Sequence, residues 1–212
     1  MTETKKNSRT LLKVGITGGI GTGKTMACRL FETLGVPVYY ADDRAKWLMQ
    51  YQETVRDQLI DAFGAAVYQA DGALDREYLA GLVFNNEAQL QRLNAIVHPA
   101  VYRDGEEWQA AQAEKGVLYT LKEAALLYET GSYAQLDKII VVTAPEATRI
   151  ARVMARDGAT EEQVRARMSK QLPQAEKEAR ADFLLHNTTK EALAEQVERL
   201  HQRLCTLAQA LQ

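Results

Sequence analysis

Hydrophobic positions change their period several times along the chain, and each change marks an element. Leu11 to Thr17 is an apolar run with Lys13 early in it, and it reads as a short strand. Gly18-Gly19-Ile20-Gly21-Thr22-Gly23 follows, with glycines dense enough to break any regular element. After Lys24 the spacing becomes helical: Ala27, Leu30, Phe31 and Leu34 share a face, and Gly35 ends the run. Val36 to Tyr40 is a second apolar stretch, with Pro37 near its start. Strand, glycine turn, helix and strand in this order form a βαβ unit, for which a right-handed parallel crossover is expected.

From about Asp43 to Lys115 the pattern is mainly helical, with Ala70-Asp71-Gly72 as the clearest turn. His98-Pro99 reads as a further boundary, with Pro99 suited to the first position of a new helix. Gly116 to Leu121 is the next strand candidate, and Lys138 to Thr143 is the strongest one in the chain. Ala144-Pro145 opens a helix that runs through Arg156, and Asp157-Gly158 is a turn. Thr160 with Gln163 and Thr188 with Glu191 both have capping-box spacing, so a helix is expected after each. Leu172-Pro173 interrupts the first of these helices. Phe183 to Leu185 is a short strand. The last helix carries Leu193, Val197, Leu200, Leu204, Leu207 and Leu211 in one stripe, a core-packing face rather than a coiled-coil seam.

Composition narrows the class. The chain has 212 residues, 46% apolar and 25% charged, the mix of a globular domain. A formal net charge of −2 gives no global field toward nucleic acid or membrane, so neither is an expected partner and any anion site must be local. Cys28 and Cys205 suggest buried free thiols rather than a disulfide framework or a zinc site. No apolar run approaches the length of a membrane span, and Thr2 to Thr10 lack the apolar core of a signal peptide. These residues read as a disordered tail, and a cytoplasmic location is the expectation. Oligomeric state is not legible.

Gly18-x-x-x-x-Gly23-Lys24-Thr25 fits the P-loop pattern in full. Glycines let the backbone curl so that N–H groups of Gly19, Ile20, Gly21, Thr22 and Gly23 can cradle phosphate oxygens. The helix that follows adds its positive N-terminal end at Lys24, Thr25 and Met26. Lys24 supplies charge to the β- and γ-phosphates of a nucleotide, and Thr25 offers a hydroxyl to Mg²⁺. ATP as phosphoryl donor and Mg²⁺ are the implied ligands.

Asp42 and Asp43 stand just past the second strand, where ligands of open parallel sheets bind. Either acid suits proton acceptance from an attacking hydroxyl, or the capping of the helix that continues through Leu48. Both roles remain open on position alone. The segment from Arg149 to Arg180 holds eight basic and five acidic residues, a net +3 in a chain of −2. It is either a solvated helix face or a mobile lid whose arginines neutralise a phosphoryl group in transfer. His98 suits a structural position better than a catalytic one.

Five motifs then fall in order. Gly15 to Thr25, reading GITGGIGTGKT, resembles the opening of the dephospho-CoA kinase family. Val36 to Lys46 is similar to that family's second motif, usually VIDAD with an Ala-Arg pair. Leu93-Asn94-Ala95-Ile96-Val97-His98-Pro99 matches LNxIxHP, Glu123 to Glu129 is similar to the PLLFE segment, and Arg152 to Asp157 is similar to RxxxRD. The resemblance spans about Leu11 to Asn187. It implies transfer of the ATP γ-phosphate to the 3′-hydroxyl of dephospho-CoA, with Asp42 as general base and with Arg156 and Arg152 as lid arginines. It also implies a place for His98 near the acceptor and for Asn187 near the adenine. Several positions depart from the family pattern. Tyr40 replaces the first acid, Thr22, Thr25 and Met26 replace Ser, Ser and Thr, Ala125 replaces a proline and Lys46 an arginine.

The expected architecture is a P-loop-type α/β core with a parallel sheet between helix layers, in a single kinase domain. The core covers about 11–45, 116–148 and 182–212, a helical acceptor region about 46–115, and a helical lid about 149–181. Another nucleoside or nucleotide kinase, a GTPase-type switch and a non-catalytic nucleotide-binding module are the competing readings. The GTPase reading lacks its guanine motif, since no asparagine here is followed by lysine.

Overall fold

The computed structural model describes residues 11–84 and 86–211. The tail expected over Thr2 to Thr10 lies outside them. The chain divides into two compact units, one formed by residues up to 39 and from 109 onward, the other by Tyr40–Trp108.

The first unit is built on five strands: β1 (Leu12–Thr17), β2 (Val38–Tyr40, whose last residue opens the second unit), β3 (Tyr119–Glu123), β4 (Lys138–Thr143) and β5 (Phe183–His186). Their order is β2-β3-β1-β4-β5, and β1 pairs in parallel with β3 and β4, as β4 does with β5. Parallel strands buried on both faces read as continuous apolar runs. Val14, Ile16, Leu121, Ile140, Val141 and Val142 are accordingly fully buried. Helix α1 (Lys24–Thr33) packs against the terminal helix α9 (Lys190–Gln209) and against β1 and β3. The α9 stripe is core: Leu193, Val197, Leu200, Leu204 and Ala208 are buried. The stripe drifts off Leu211, which is exposed. Helices α6 (Glu146–Asp157), α7 (Glu161–Met168) and α8 (Gln174–Ala179) fill the span between β4 and β5. Thr160 and Gln163 form both bonds of the expected capping box.

The second unit is helical: α2 (Ala41–Tyr51), α3 (Glu53–Phe63), α4 (Arg76–Val83) and most of α5 (Glu87–Glu114). Its core gathers Leu48, Val55, Leu59, Val67, Leu74, Leu79 and Ala100.

Three local expectations need correction. The His98-Pro99 boundary does not occur, because α5 runs unbroken through Pro99. An interior proline costs about 3 kcal/mol, but the buried residues Val97 and Ala100 flank it, and Leu93, Ile96 and Val101 extend the same packed face. Tertiary burial overrides the local penalty. The third strand lies later than Gly116–Leu121, since Gly116 has φ +74° and ends a helix rather than starting a strand. The cap of α9 is Thr189, whose hydroxyl accepts from the Ala192 N–H, and not Thr188.

Candidate active site

Strand β1 delivers the glycine loop at the carboxyl end of the sheet, between β3 and β4. The loop's shape demands its glycines, as Gly18 and Gly23 show. Gly18 has φ +152°, and a Cβ there would meet the Val142 carbonyl oxygen at 2.3 Å. Gly23 has φ +89°, and its Cβ would lie 2.0 Å from Asn187 Nδ2. Any side chain would fill the space that the curl requires.

Inside the loop, the Thr22 hydroxyl and N–H both donate to the Gly19 carbonyl, at 2.9 and 3.2 Å. Lys24 Nζ donates to the Gly18 carbonyl at 2.9 Å. Thr25 and Met26 follow in the exposed first turn of α1. The residues expected to hold nucleotide phosphate are therefore brought together around one loop.

Asn187, just after β5, is buried and donates through Nδ2 to the Thr22 carbonyl at 2.8 Å. Arg152 on α6 donates to the Asn187 carbonyl at 3.3 Å. Its other terminal nitrogen, Nη1, is buried and has no hydrogen-bond partner among the described residues. That nitrogen lies 3.8 Å from where a Gly23 Cβ would stand. A buried guanidinium N–H without an acceptor is costly, and a bound anion at the loop would satisfy it.

Arg156, one turn beyond Arg152, is placed differently. Its side chain is 65% exposed and donates from Nε to Asp157 at 2.6 Å. That hydrogen bond raises its pKa further, while Arg156 and Arg167 together hold Asp157 well below the usual carboxylate range.

The loop has further partners that sequence reasoning did not single out. Gly19 N–H donates to Gln174 Oε1 and Ile20 N–H to Gln171 Oε1, each at 2.9 Å. Arg149, buried on α6, donates from Nε to the Ile20 carbonyl at 3.0 Å. Burial lowers the pKa of Arg149, with Glu146 and Glu178 opposing that effect. The segment carrying the glutamines is anchored by Lys177, fully buried, whose Nζ lies 2.8 Å from Glu129 Oε1 and donates to the Ala125 carbonyl at 3.2 Å. Glu129 also accepts from the Leu172 N–H at 2.8 Å. Arg149 and Lys177 belong to the basic segment noted above. Nothing in the sequence pattern marks Gln171, between α7 and α8, or Gln174, the first residue of α8.

Asp42 and Asp43 lie in the second unit, in the first turn of α2. The N-cap of α2 is Tyr40, with no side-chain cap bond, so neither acid is the cap that position alone allowed. Both are exposed. Asp43 accepts from Lys46 Nζ at 2.7 Å. His98 lies mid-helix in α5, where the part of its surroundings that covers the ring lowers its pKa from the ordinary value.

No group of three or more His, Cys, Asp or Glu side chains among the described residues could hold a metal ion. A magnesium ion at this loop would rely on the Thr25 hydroxyl, water and phosphate oxygens, which suits its preference for keeping waters and substrate ligands. Cys28 is buried, and burial drives its thiol pKa up, so it is inert packing. Among the described residues no helix is long and apolar enough to cross a membrane.

Comparison with known proteins adds an independent line. The family model described as dephospho-CoA kinase matches residues 12–192. A dephospho-CoA kinase of Salinibacter ruber is 49% identical over 174 residues, covering 82% of this chain and 87% of its own. One of Geobacillus kaustophilus is 39% identical over 176 residues, covering 83% and 88%. Among solved structures, a Thermus thermophilus protein superposes with a TM-score of 0.80 at 34% identity, covering 91% of this chain and 97% of its own. A dephospho-CoA kinase of Campylobacter jejuni shares the fold, with a TM-score of 0.63 at 22% identity over 91% and 96%.

Proposed function

The chain belongs to the dephospho-CoA kinase family, and from that premise we propose that it binds ATP on the glycine loop and transfers the γ-phosphate to the 3′-hydroxyl of dephospho-CoA, releasing CoA and ADP. The chain is thus an ATP-dependent phosphotransferase, and the non-catalytic alternative is not favoured.

The observation that carries the chemistry is the constellation at the loop. Lys24 and the start of α1 sit on the loop, and Arg152 lies against it with its buried Nη1 lacking a hydrogen-bond partner among the described residues. Phosphoryl transfer asks a protein mainly for positioning and for fixed positive charge. Lys24 bridges the β- and γ-phosphates in this reading. Backbone N–H groups of Gly21, Gly23 and Thr25 and the end of α1 surround them, while those of Gly19 and Ile20 are held by Gln174 and Gln171. Arg152 and Asn187 hold the nucleotide's other side, with Asn187 toward the base. Arg156, released from Asp157, neutralises charge on the phosphoryl group in transfer. Asp42 accepts the proton of the 3′-hydroxyl, and His98 contributes to acceptor binding. Mg²⁺, when bound at Thr25, screens the phosphate charge. A cytoplasmic enzyme acting on these two small molecules, with no nucleic acid or membrane partner, completes the reading.

The test is an acceptor panel. Purified protein with ATP is supplied with dephospho-CoA, AMP, a set of nucleosides, or no acceptor, and ADP release is followed. The reading requires release that depends on dephospho-CoA. Equal release with AMP or a nucleoside would assign the chain to another nucleotide kinase activity.

A further inference from the structure

The glycine loop is held in two different ways along its length. Its first half is tied by side chains from the segment between β4 and β5: Gln174 and Gln171 accept from Gly19 and Ile20, and Arg149 donates to the Ile20 carbonyl. For the second half, the N–H groups of Gly21, Gly23 and Thr25 make no hydrogen bond to protein outside the helix among the described residues. The loop is thus fastened at one end and offered to phosphate at the other.

The Gln174 tie has a defined polarity. A neutral carboxamide can present either its oxygen or its NH₂ to a neighbour. Gln174 Nε2 donates to Glu178 Oε1 at 3.0 Å and lies 3.4 Å from the Val142 carbonyl. Glu178 in turn accepts from the Thr143 hydroxyl at the end of β4. With two acceptors on the NH₂ side, only Oε1 is left to face the Gly19 N–H. That hydrogen bond of Thr143 holds the Glu178 carboxyl below its usual range, assisted by Gln174 and by the charges of His186 and Arg149, so it stays an acceptor at neutral pH.

The rest of the segment does not yield easily. Leu172 N–H and Lys177 Nζ both bind Glu129, which follows β3, and Lys177 is fully buried. The glutamines therefore project from backbone anchored to the strand system, one on each side of the Leu172-Pro173 turn.

We infer that Gln174, oriented by Glu178, and Gln171 beside it are positioning residues that set the glycine loop's shape for nucleotide binding. The inference rests on the nucleotide-binding reading above and deepens it. Neither glutamine touches the reacting atoms. They act through the backbone of Gly19 and Ile20, whose displacement by even an ångström would misplace phosphate.

The experiment compares wild type with Gln174→Glu, Glu178→Gln and the double variant carrying both changes. ATP Kd is measured by titration without acceptor at pH 8 and pH 6, beside a thermal melt. Gln174→Glu sets two carboxylates against each other where one amide hydrogen bond stood. It should weaken ATP binding about 10-fold at pH 8. Protonation of that pair should recover much of the affinity at pH 6, a recovery that wild type does not show. The double variant restores one carboxylate, one carboxamide and an acceptor for the Gly19 N–H. It should bind within about 3-fold of wild type at both pH values. Wild-type affinity in Gln174→Glu at pH 8, or a double variant as impaired as the single one, overturns the inference. So does a loss that follows melting temperature alone. Wild type that binds ATP without phosphorylating dephospho-CoA would fail the proposed reaction while leaving this comparison intact.

Discussion

Lys24 Nζ reaches across the glycine loop to the Gly18 carbonyl, 2.9 Å away. The contact holds the ammonium over the loop before any phosphate arrives. Lys24→Ala should lower kcat by about 10²–10³, the usual scale for a preorganised charge on a transferring group. The side chain is not part of the core, so the melting temperature should change little. Steady-state kinetics beside a thermal melt checks this, and near wild-type turnover would mean that ATP is held elsewhere.

Asp42 and Asp43 are adjacent in the first turn of α2, and neither caps it. Asp42→Asn keeps the shape and removes basicity, and a positioned general base is worth about 10²–10⁴ in rate. A large fall in kcat with an unchanged melt is expected. Asp43→Asn should be mild, since its visible partner is the exposed Lys46. Pairing the two variants also tests register: a crippled Asp43→Asn would place the acid one residue later.

Arg156 is pinned to Asp157 on an exposed helix end, whereas Arg152 lies against the loop. Arg156→Ala should therefore lower kcat more than it weakens ATP binding without acceptor, because its contact forms mainly in the transition state. Arg152→Ala should weaken ATP binding itself. Equal losses in kcat and ATP affinity for Arg156→Ala would give it a ground-state role.

The ion pair between the buried Lys177 and the partly exposed Glu129 should matter to folding. Leaving a buried charge uncompensated costs up to about 3–5 kcal/mol, so Glu129→Ala, which strips the buried Lys177 ammonium of its partner, should unfold at clearly lower denaturant than wild type. Burial tends to raise the Glu129 pKa, but hydrogen bonds from Lys177 and the Leu172 N–H outweigh it and bring the value below the ordinary 4.5. A depressed folded pKa contributes stability that is complete above the unfolded value and is lost as pH falls through the folded one. Between pH 5 and pH 3, wild-type stability should therefore drop more steeply than that of Glu129→Gln.

The parts of the fold that were legible in sequence are those where physics restricts residue type. The P-loop showed itself because Gly18 and Gly23 adopt geometry that side chains cannot share. The β4 range, Lys138–Thr143, coincides with the strongest apolar run because a central parallel strand is buried on both faces. Pro99 misled because local penalty yields to the packing of Val97 and Ala100 on either side. Gln171 and Gln174 were invisible because a glutamine hydrogen-bonding to a distant backbone N–H leaves no periodic trace. Arg149 and Arg152 could be noticed as charge, but only the fold separates them from the exposed Arg156 and Arg165.

The central claim is the transfer itself. ATP carrying a label on its γ-phosphate, incubated with purified protein and dephospho-CoA, tests it most directly when the product is isolated and the position of the label is read. The account predicts CoA labelled on the ribose 3′-phosphate, in one-to-one yield with ADP and formed about 10²–10³ times more slowly by Lys24→Ala. Label recovered only as inorganic phosphate, or on another hydroxyl, would contradict it.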